Sequence, residues 1–337
     1  MGAFKLKIFI LGSSGYIGKH LIVELEKFNY KVFGYDLEES PIVGQEYKHF
    51  QGDVRDPILL KQTLIEVDPH IVIDLASLTV VGDSYVLDDY DHNYATPKHL
   101  LDSLQNLTQF NLKKVIFTST QYVIGPEYSG LNPMGYAPHT VYGQSKVILE
   151  QEIRDTINGF CDFGIEVSIV RPTNVWGGDH PKYSTLWEGL LAKGVVMIPN
   201  IKVLKSYCHI STLCDLYLSL ASKKPKFGSF KERIIYGTDE LMSQDEWVSL
   251  QVKALRSVGI KARYWRVPVF VLRMISALLS FLGAKNPLPQ SRVDSMLVDY
   301  PVILDRPFGV ASPKDKLSVE KVAHKDIQFR YSRDKHL

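Results

Sequence analysis

Tyr142-Gly143-Gln144-Ser145-Lys146 holds the two side chains best suited to moving a proton. On a helix, positions i and i+4 share a face one turn apart, so this phenol and this ammonium would be neighbours. A phenol with a pKa of about 10 is a poor base at neutral pH. A nearby positive charge favours its anion. A phenolate prepared in this way could take the proton of an alcohol. Lys146 could also hold a ribose. Thr118-Ser119-Thr120 supplies hydroxyls at the end of an apolar run, and Thr120 could steady the same alcohol oxygen. Alone, a Tyr-x-x-x-Lys is an ordinary exposed helix pair, so the surroundings decide.

The surroundings begin at the other end of the chain, with KLKIFILGSSGYIGKHLIVELEKFNYKVFGYD from Lys5 to Asp36. Lys7 to Leu11 is a short apolar run, the pattern of a strand buried on both faces. Gly12, Gly15 and Gly18 follow, and Ile17, Leu21 and Leu25 start a helical face. A second apolar run, Lys31 to Tyr35, ends at Asp36. A glycine directly after a strand permits a tight turn and a close approach by a pyrophosphate. The helix start adds unpaired amides and a positive dipole end. Asp36, about twenty residues on, can accept from both hydroxyls of a ribose. A 2′-phosphate would meet it as a like charge, and Leu37 and Glu38 follow without softening this. The stretch therefore predicts NAD in preference to NADP.

These residues need a sheet to converge on. Tyr47 to Gln51 reads as a strand ending in Gly52-Asp53-Val54, and Ile71 to Leu75 as another followed by Ala76-Ser77. Val115 to Ser119 and Glu166 to Val170 are two more, the last running into Arg171-Pro172-Thr173-Asn174-Val175-Trp176-Gly177. Helices are expected at Leu59 to Val67 and at Asp91 to Leu104, which carries Asn93. Parallel strands alternating with helices make a doubly wound α/β sheet. Ligands of such sheets lie beyond the carboxyl ends of the strands. Gly12 to Gly18, Asp36, Asp53, Ala76 and Thr120 should then share one edge. Asp53 has two equal readings, an adenine contact or an Asx turn capping the next helix.

Later segments are less regular. Tyr183 to Lys193, Leu213 to Ala221 and Gln244 to Val258 read as helices. Val195 to Ile198, Lys205 to Ile210 and Ile234 to Tyr236 read as short strands. Pro287, Pro289, Pro301 and Pro307 punctuate the tail. Tyr183, Trp187 and Leu190 sit at helical spacing and most simply form core. Trp176 could stack on a base or be buried, and His180 and His209 are read as surface or packed groups. The expected organisation is an NAD-binding Rossmann domain over 1–175, which also receives strands and helices from about 203–236. Residues 176–337 would form mainly a smaller C-terminal substrate-binding lobe.

Composition bounds the rest. The chain has 337 residues, 45% hydrophobic and 23% charged, as in a soluble globular protein. A net charge of +2 gives no bulk electrostatic case for nucleic acid. Cys161, Cys208 and Cys214 have neither zinc-site nor redox spacing, so no metal is expected. An odd, sparse set suits a reducing cytosol. The first strand begins almost at Met1, so no signal peptide is expected ahead of it. Val267 to Ala284 is strongly apolar but carries Pro268 and Arg273. A full membrane span is disfavoured by that arginine. A helix packed on the substrate-side lobe is favoured over a membrane-surface helix, so membrane contact is not expected.

Taken together the motifs resemble the extended short-chain dehydrogenase/reductase superfamily, in its NAD-dependent nucleotide-sugar epimerase/dehydratase branch. The matching residues are Gly12-x-x-Gly15-x-x-Gly18, Asp36, Asp53-Val54, Leu75-Ala76, Asn93, Thr120, Tyr142-x-x-x-Lys146 and Arg171-Pro-Thr-Asn174-Val-Trp-Gly177. The resemblance implies bound NAD, a C-terminal lobe for a nucleotide-sugar, and a homodimer formed through a four-helix bundle. It implies Tyr142 as base, Lys146 as its partner and Thr120 as the third catalytic member. The cofactor set it implies is Gly12, Ser14, Gly15, Tyr16, Ile17, Gly18, Asp36, Asp53, Val54, Leu75, Ala76, Ser77, Asn93, Thr118, Tyr142, Lys146, Pro172 and Asn174. Thr120, Gln121, Asn174 and Lys205 are the implied substrate contacts.

The departures bear on the reaction. The 4,6-dehydratases of the branch place acids just after the strand-end threonine, whereas Gln121 and Tyr122 stand here. Without a carboxyl to expel water, dehydration is disfavoured. The branch's Phe-x-His-Val-Asp-Asp stretch appears as Tyr207-Cys-His209-Ile-Ser211-Thr212. Lys205 stands near a diphosphate-binding arginine of the branch, and Arg292 and Arg306 are candidates for a second. The Pro-Leu-Pro and Arg292-Val-Asp-Ser-Met region resembles the 3β-hydroxysteroid dehydrogenase-like branch instead. The expected activity is epimerisation, at C4, through a transient keto-sugar. The alternative is an NAD-dependent dehydrogenase or 4-ketoreductase of a nucleotide-sugar or a sterol-like alcohol. A non-catalytic NAD-sensing protein on this fold would not be expected to keep both Tyr142 and Lys146.

Overall fold

The computed structural model describes residues 5–40, 47–80, 85–105, 107, 109–126, 134–180, 187–285, 288, 290–302 and 319–333. Tyr183, Pro287, Pro289, Arg306 and Pro307 lie outside the described residues. The chain divides into two compact units. Residues 1–173, 210–237 and 304–311 make one; 174–209, 238–303 and 312–337 make the other.

The first unit opens with β1 (Lys7–Leu11), α1 (Tyr16–Lys27), β2 (Lys31–Asp36), β3 (Lys48–Gln51), α2 (Pro57–Val67) and β4 (Ile71–Asp74). It continues with α3 (Thr96–Leu104), β5 (Lys114–Thr118), α4 (Val141–Asp162) and β6 (Glu166–Pro172). The chain then enters the second unit as β7 (Asn174–Trp176), α5 (Trp187–Lys193), β8 (Val196–Pro199) and β9 (Leu204–His209). It returns to the first as α6 (Ile210–Ser222) and β10 (Ile234–Gly237). The second unit closes with β11 (Glu240–Ser243), α7 (Gln244–Ser257), β12 (Tyr264–Val267), α8 (Val269–Leu278), α9 (Gln290–Leu297) and α10 (Val319–Arg333).

Among the described residues, the first unit has a seven-stranded sheet in the order β10-β6-β5-β4-β1-β2-β3, parallel throughout. The continuous apolar runs explain the choice. Ile8 to Leu11, Ile71 to Ile73 and Val115 to Phe117 are buried, as strands covered on both faces require. α1 packs on α6, while α2, α3 and α4 pack side by side. The order reverses between β1 and β4, the switch point at which doubly wound sheets open a crevice.

Two local expectations are corrected. Asn93 lies on a 3-10 turn, Leu87–Asn93, and α3 starts only at Thr96 with a proline in its first turn. Proline has no amide to give an earlier turn, so the two helical pieces stay separate. α2 is capped by Asp56, whose carboxylate accepts from Ile58 N and Leu59 N at 3.0 Å. Asp53 is therefore not its cap.

In the second unit, β11-β9-β7 form one small sheet and β12-β8 another. Its core gathers on Trp247, which stacks on Tyr207 at 5.2 Å and meets Trp176 and Trp187 edge-on. Ser243 and Glu246 form a capping box at the start of α7. α10 packs on α7, and its Asp326 accepts from His209 Nε2 at 2.9 Å and Gly178 N at 2.7 Å. His209 is thus a buried docking group for the last helix.

Candidate active site

The parallel register puts the carboxyl ends of β1, β2, β4 and β5 on one edge, and the glycine turn sits there. Gly12 has a φ of 76°, and a Cβ on it would lie 2.5 Å from Ala76 N. A Cβ on Gly18 would lie 2.5 Å from the Gly12 carbonyl oxygen. Only bare backbone allows the turns after β1 and β4 to touch while α1 packs this closely. The first turn of α1 carries no side-chain cap and no acid. That start, lined by Ser14, Tyr16 and Ile17, is the positive end of the helix dipole, which favours an anion. Asp36 ends β2, with its carboxylate accepting from Ser14 N at 2.9 Å and Glu38 N at 3.1 Å. A carboxylate has about four acceptor positions, which leaves room for ribose hydroxyls. A tight glycine turn, an uncapped helix start and a strand-end acid fit NAD.

Asp53 accepts from the Arg55 amide at 2.8 Å and pairs with its guanidinium, which also reaches Asp91 at 3.2 Å. The Arg55 hydrogen bond holds the Asp53 carboxyl below the usual range. The adjoining Val54 is buried, and its carbonyl bonds His99 Nδ1 at 2.9 Å. Asn93 pins the loop after β4: its Oδ1 accepts from Leu78 N at 2.7 Å, and its Nδ2 donates to Ser145 Oγ at 3.0 Å.

Tyr142 and Lys146 lie on α4, capped by Thr140. Burial pushes the Tyr142 phenol up to about 12; hydrogen bonds with the hydroxyls of Thr120 and Ser77 act against it. Lys146 is buried more deeply than Tyr142 and donates to the Thr118 carbonyl at 2.9 Å. Desolvation brings its pKa down to about 8, opposed by the charges of Asp74 and Glu150. The phenol answers to desolvation first, and the ammonium is directed at the strand end beneath it. Thr118 also shares a 2.6 Å hydrogen bond with Tyr217 through its hydroxyl.

Gln121 opens the 3-10 turn after Thr120, only 3% exposed, and neither end of its amide has a hydrogen-bond partner. Pro172 ends β6. In the second unit, Asn174 Nδ2 donates to the Ser206 carbonyl at 2.9 Å, and Lys205 Nζ to the Ser295 carbonyl at 2.8 Å. Burial lowers Lys205 to about 8 against the charge of Asp299.

Two groups escaped the sequence reading. Asp74 closes β4, buried, accepting from Ala76 N at 3.1 Å. Burial raises its pKa to about 6 against the charge of Lys146. An acid ending an apolar strand one residue before Leu75-Ala76 was the signal. The other is a fully buried ion pair. Glu150 accepts from Arg171 Nε at 2.8 Å and Nη2 at 2.6 Å, from Ser119 Oγ at 2.6 Å and from the Tyr136 hydroxyl at 2.9 Å. Arg171 also donates to the Tyr236 hydroxyl at 2.8 Å. Glu150 stands one turn beyond Lys146 on α4, which marks it as facing the same strands.

The sequence pattern of the NAD dependent epimerase/dehydratase family matches residues 8–231. A UDP-glucose 4-epimerase of Bacillus subtilis is 30% identical over 191 residues, covering 52% of this chain and 54% of that protein. A GDP-6-deoxy-D-talose 4-dehydrogenase of Aggregatibacter actinomycetemcomitans is 28% identical over 226 residues, covering 65% and 71%. The chain thus spans about half the length of the first of these relatives. Among solved structures, a UDP-glucose 4-epimerase of Thermotoga maritima, crystallised with UDP-glucose, superposes with a TM-score of 0.69 at 15% identity. That superposition covers 98% of this chain and all of the other, and it shows a shared fold.

Proposed function

The chain belongs to the NAD dependent epimerase/dehydratase family, and from that premise we propose that it is a nucleotide-sugar epimerase inverting C4 through a transient keto-sugar. The observation that carries this is the hydroxyl cluster of Tyr142, Thr120 and Ser77 at the edge of the parallel sheet, with an amide next in the chain. That cluster can move a proton at a sugar hydroxyl. Gln121 cannot supply the acid that eliminating water would need.

The first unit would hold NAD. The glycine turn from Gly12 to Gly18, with the start of α1, would lie against the pyrophosphate and Asp36 would face the adenosine ribose. Asp53, Val54, Leu75, Ala76, Ser77, Asn93, Thr118, Pro172 and Asn174 complete the proposed contacts, and Lys146 would hold the nicotinamide ribose. When bound, NAD supplies a positively charged two-electron acceptor that favours the phenolate and takes the C4 hydride reversibly. Tyr142 Oη receives the proton of the C4 hydroxyl and later returns it. Thr120 Oγ1 holds the same oxygen. Gln121, Asn174 and Lys205 would orient the sugar and its diphosphate, with the second unit as the substrate lobe. A homodimer in the cytoplasm completes this reading.

A second reading, an NAD-dependent dehydrogenase or 4-ketoreductase, is favoured by the 4-dehydrogenase relative, whose match covers 71% of its length. One experiment separates them. The purified chain is given NAD and a panel of UDP- and GDP-hexoses, with NADH absorbance and C4 configuration followed together. An epimerase interconverts C4 epimers with no net NADH. A dehydrogenase yields one NADH per sugar oxidised. No turnover of any sugar in the panel, with NAD bound, would refute both nucleotide-sugar readings.

A further inference from the structure

α8 carries apolar side chains on its open side as well as on its packed one. Leu272 and Ser276 are buried, and the helix packs on β8 and α9. On its other side Phe270, Met274 and Leu278 are 68%, 53% and 66% exposed, at helical spacing. Phe281 in the following 3-10 turn is 80% exposed, and Trp265 just before the helix is 52% exposed. The expectation that this segment simply packs on its lobe therefore holds for one face only. Contiguous exposed apolar surface marks an interaction site.

Charge selects the occupant. From Trp247 to Val293 the sequence has eight lysines and arginines and no aspartate or glutamate. The whole chain is nearly balanced, with 39 basic and 37 acidic residues. The two acids that reach into this region from its ends are Asp245, paired with Arg266, and Asp294, 3.8 Å from Arg273. Arg273 stands within the exposed stripe itself, one position before Met274. An apolar stripe with aromatic residues set in a purely cationic segment matches an anionic bilayer surface. A second copy of the chain would bring the same cations against these. No helix among the described residues is long and apolar enough to cross a membrane, so α8 would lie in the interface.

We propose that α8, with Trp265 and Phe281, docks the second unit onto a membrane surface rich in anionic phospholipid. Phe270, Met274, Leu278 and Phe281 enter the boundary between headgroups and acyl chains, and Arg273 reaches back to the phosphates. The test is cosedimentation of the full chain with extruded vesicles, of phosphatidylcholine alone or mixed with phosphatidylserine, at low and high salt. The proposal expects binding to the mixed vesicles, weakened several-fold by salt, and little binding to the neutral ones. Phe270→Glu/Phe281→Glu should lower that partition by about tenfold or more, with an unchanged thermal transition and unchanged NAD binding. Arg273→Gln, which leaves the apolar stripe intact, should lower it by a smaller factor. Absence of binding, equal binding to neutral vesicles, or equal binding by the phenylalanine variant would overturn it. So would self-association in lipid-free sedimentation velocity that the same variant abolishes, because the stripe would then be an interface between copies.

Discussion

The Lys146 ammonium donates to the carbonyl of Thr118 at 2.9 Å, tying α4 to the end of β5. Desolvation holds this lysine at about 8, below its ordinary 10.5. As pH rises through about 8, the folded chain loses the charge that would hold a ribose. NAD affinity, measured by tryptophan quenching, should fall above that pH. Lys146→Met should bind NAD more weakly at every pH and lose this dependence. Global stability should move the other way. Between about 8 and 10.5 the unfolded chain keeps the proton that the folded chain has released, so this group's contribution to stability rises with pH.

Tyr142→Phe removes the proposed base and little else. Turnover should fall by about 10²- to 10⁴-fold. NAD affinity and the thermal transition should stay close to the parent. Full turnover by this variant on the natural substrate would end the catalytic assignment.

Gln121 should trade stability for binding. A buried amide without partners costs about 1–3 kcal/mol. Gln121→Leu should therefore make the free chain more resistant to urea by about 1 kcal/mol. It should also raise KM for the sugar substrate while leaving NAD affinity alone. Lower stability together with an unchanged KM would show that the amide is structural.

Asp74 gives a pH signature in the acid range. Its folded pKa of about 6 lies above the ordinary 3.8, so the folded chain binds this proton more tightly than the unfolded chain. The stabilisation is complete below about 4 and is lost as pH rises through about 6, by up to about 3 kcal/mol. Asp74→Asn should flatten that stretch of the stability curve, measured by urea unfolding at several pH values.

The Glu150–Arg171 pair is fully buried, and removing one member strands the other charge. Arg171→Met should cost about 3–5 kcal/mol, and the double variant Glu150→Leu/Arg171→Met should recover most of that. Added salt should not mimic the single variant, because ions in solution screen a dry pair poorly.

The sequence by itself determined the sheet, the glycine turn, the strand-end Asp36 and the order of the motifs. These are local patterns: an apolar run is buried wherever it pairs, and a glycine after a strand turns whatever lies opposite. Spacing also placed Tyr142 and Lys146 on one helical face. Tertiary structure alone decided what that face meets. Lys146 turns to Thr118, Asp74 is desolvated at the end of β4, and Glu150 finds Arg171 across 21 residues of chain. Asp56 took the cap that Asp53 could have filled, because the helix began at Pro57. The apolar stretch around α8 showed the same limit, since hydropathy could not tell its packed face from its open one. Burial and charge coupling depend on groups brought together from distant parts of the chain, and no spacing within one segment records them.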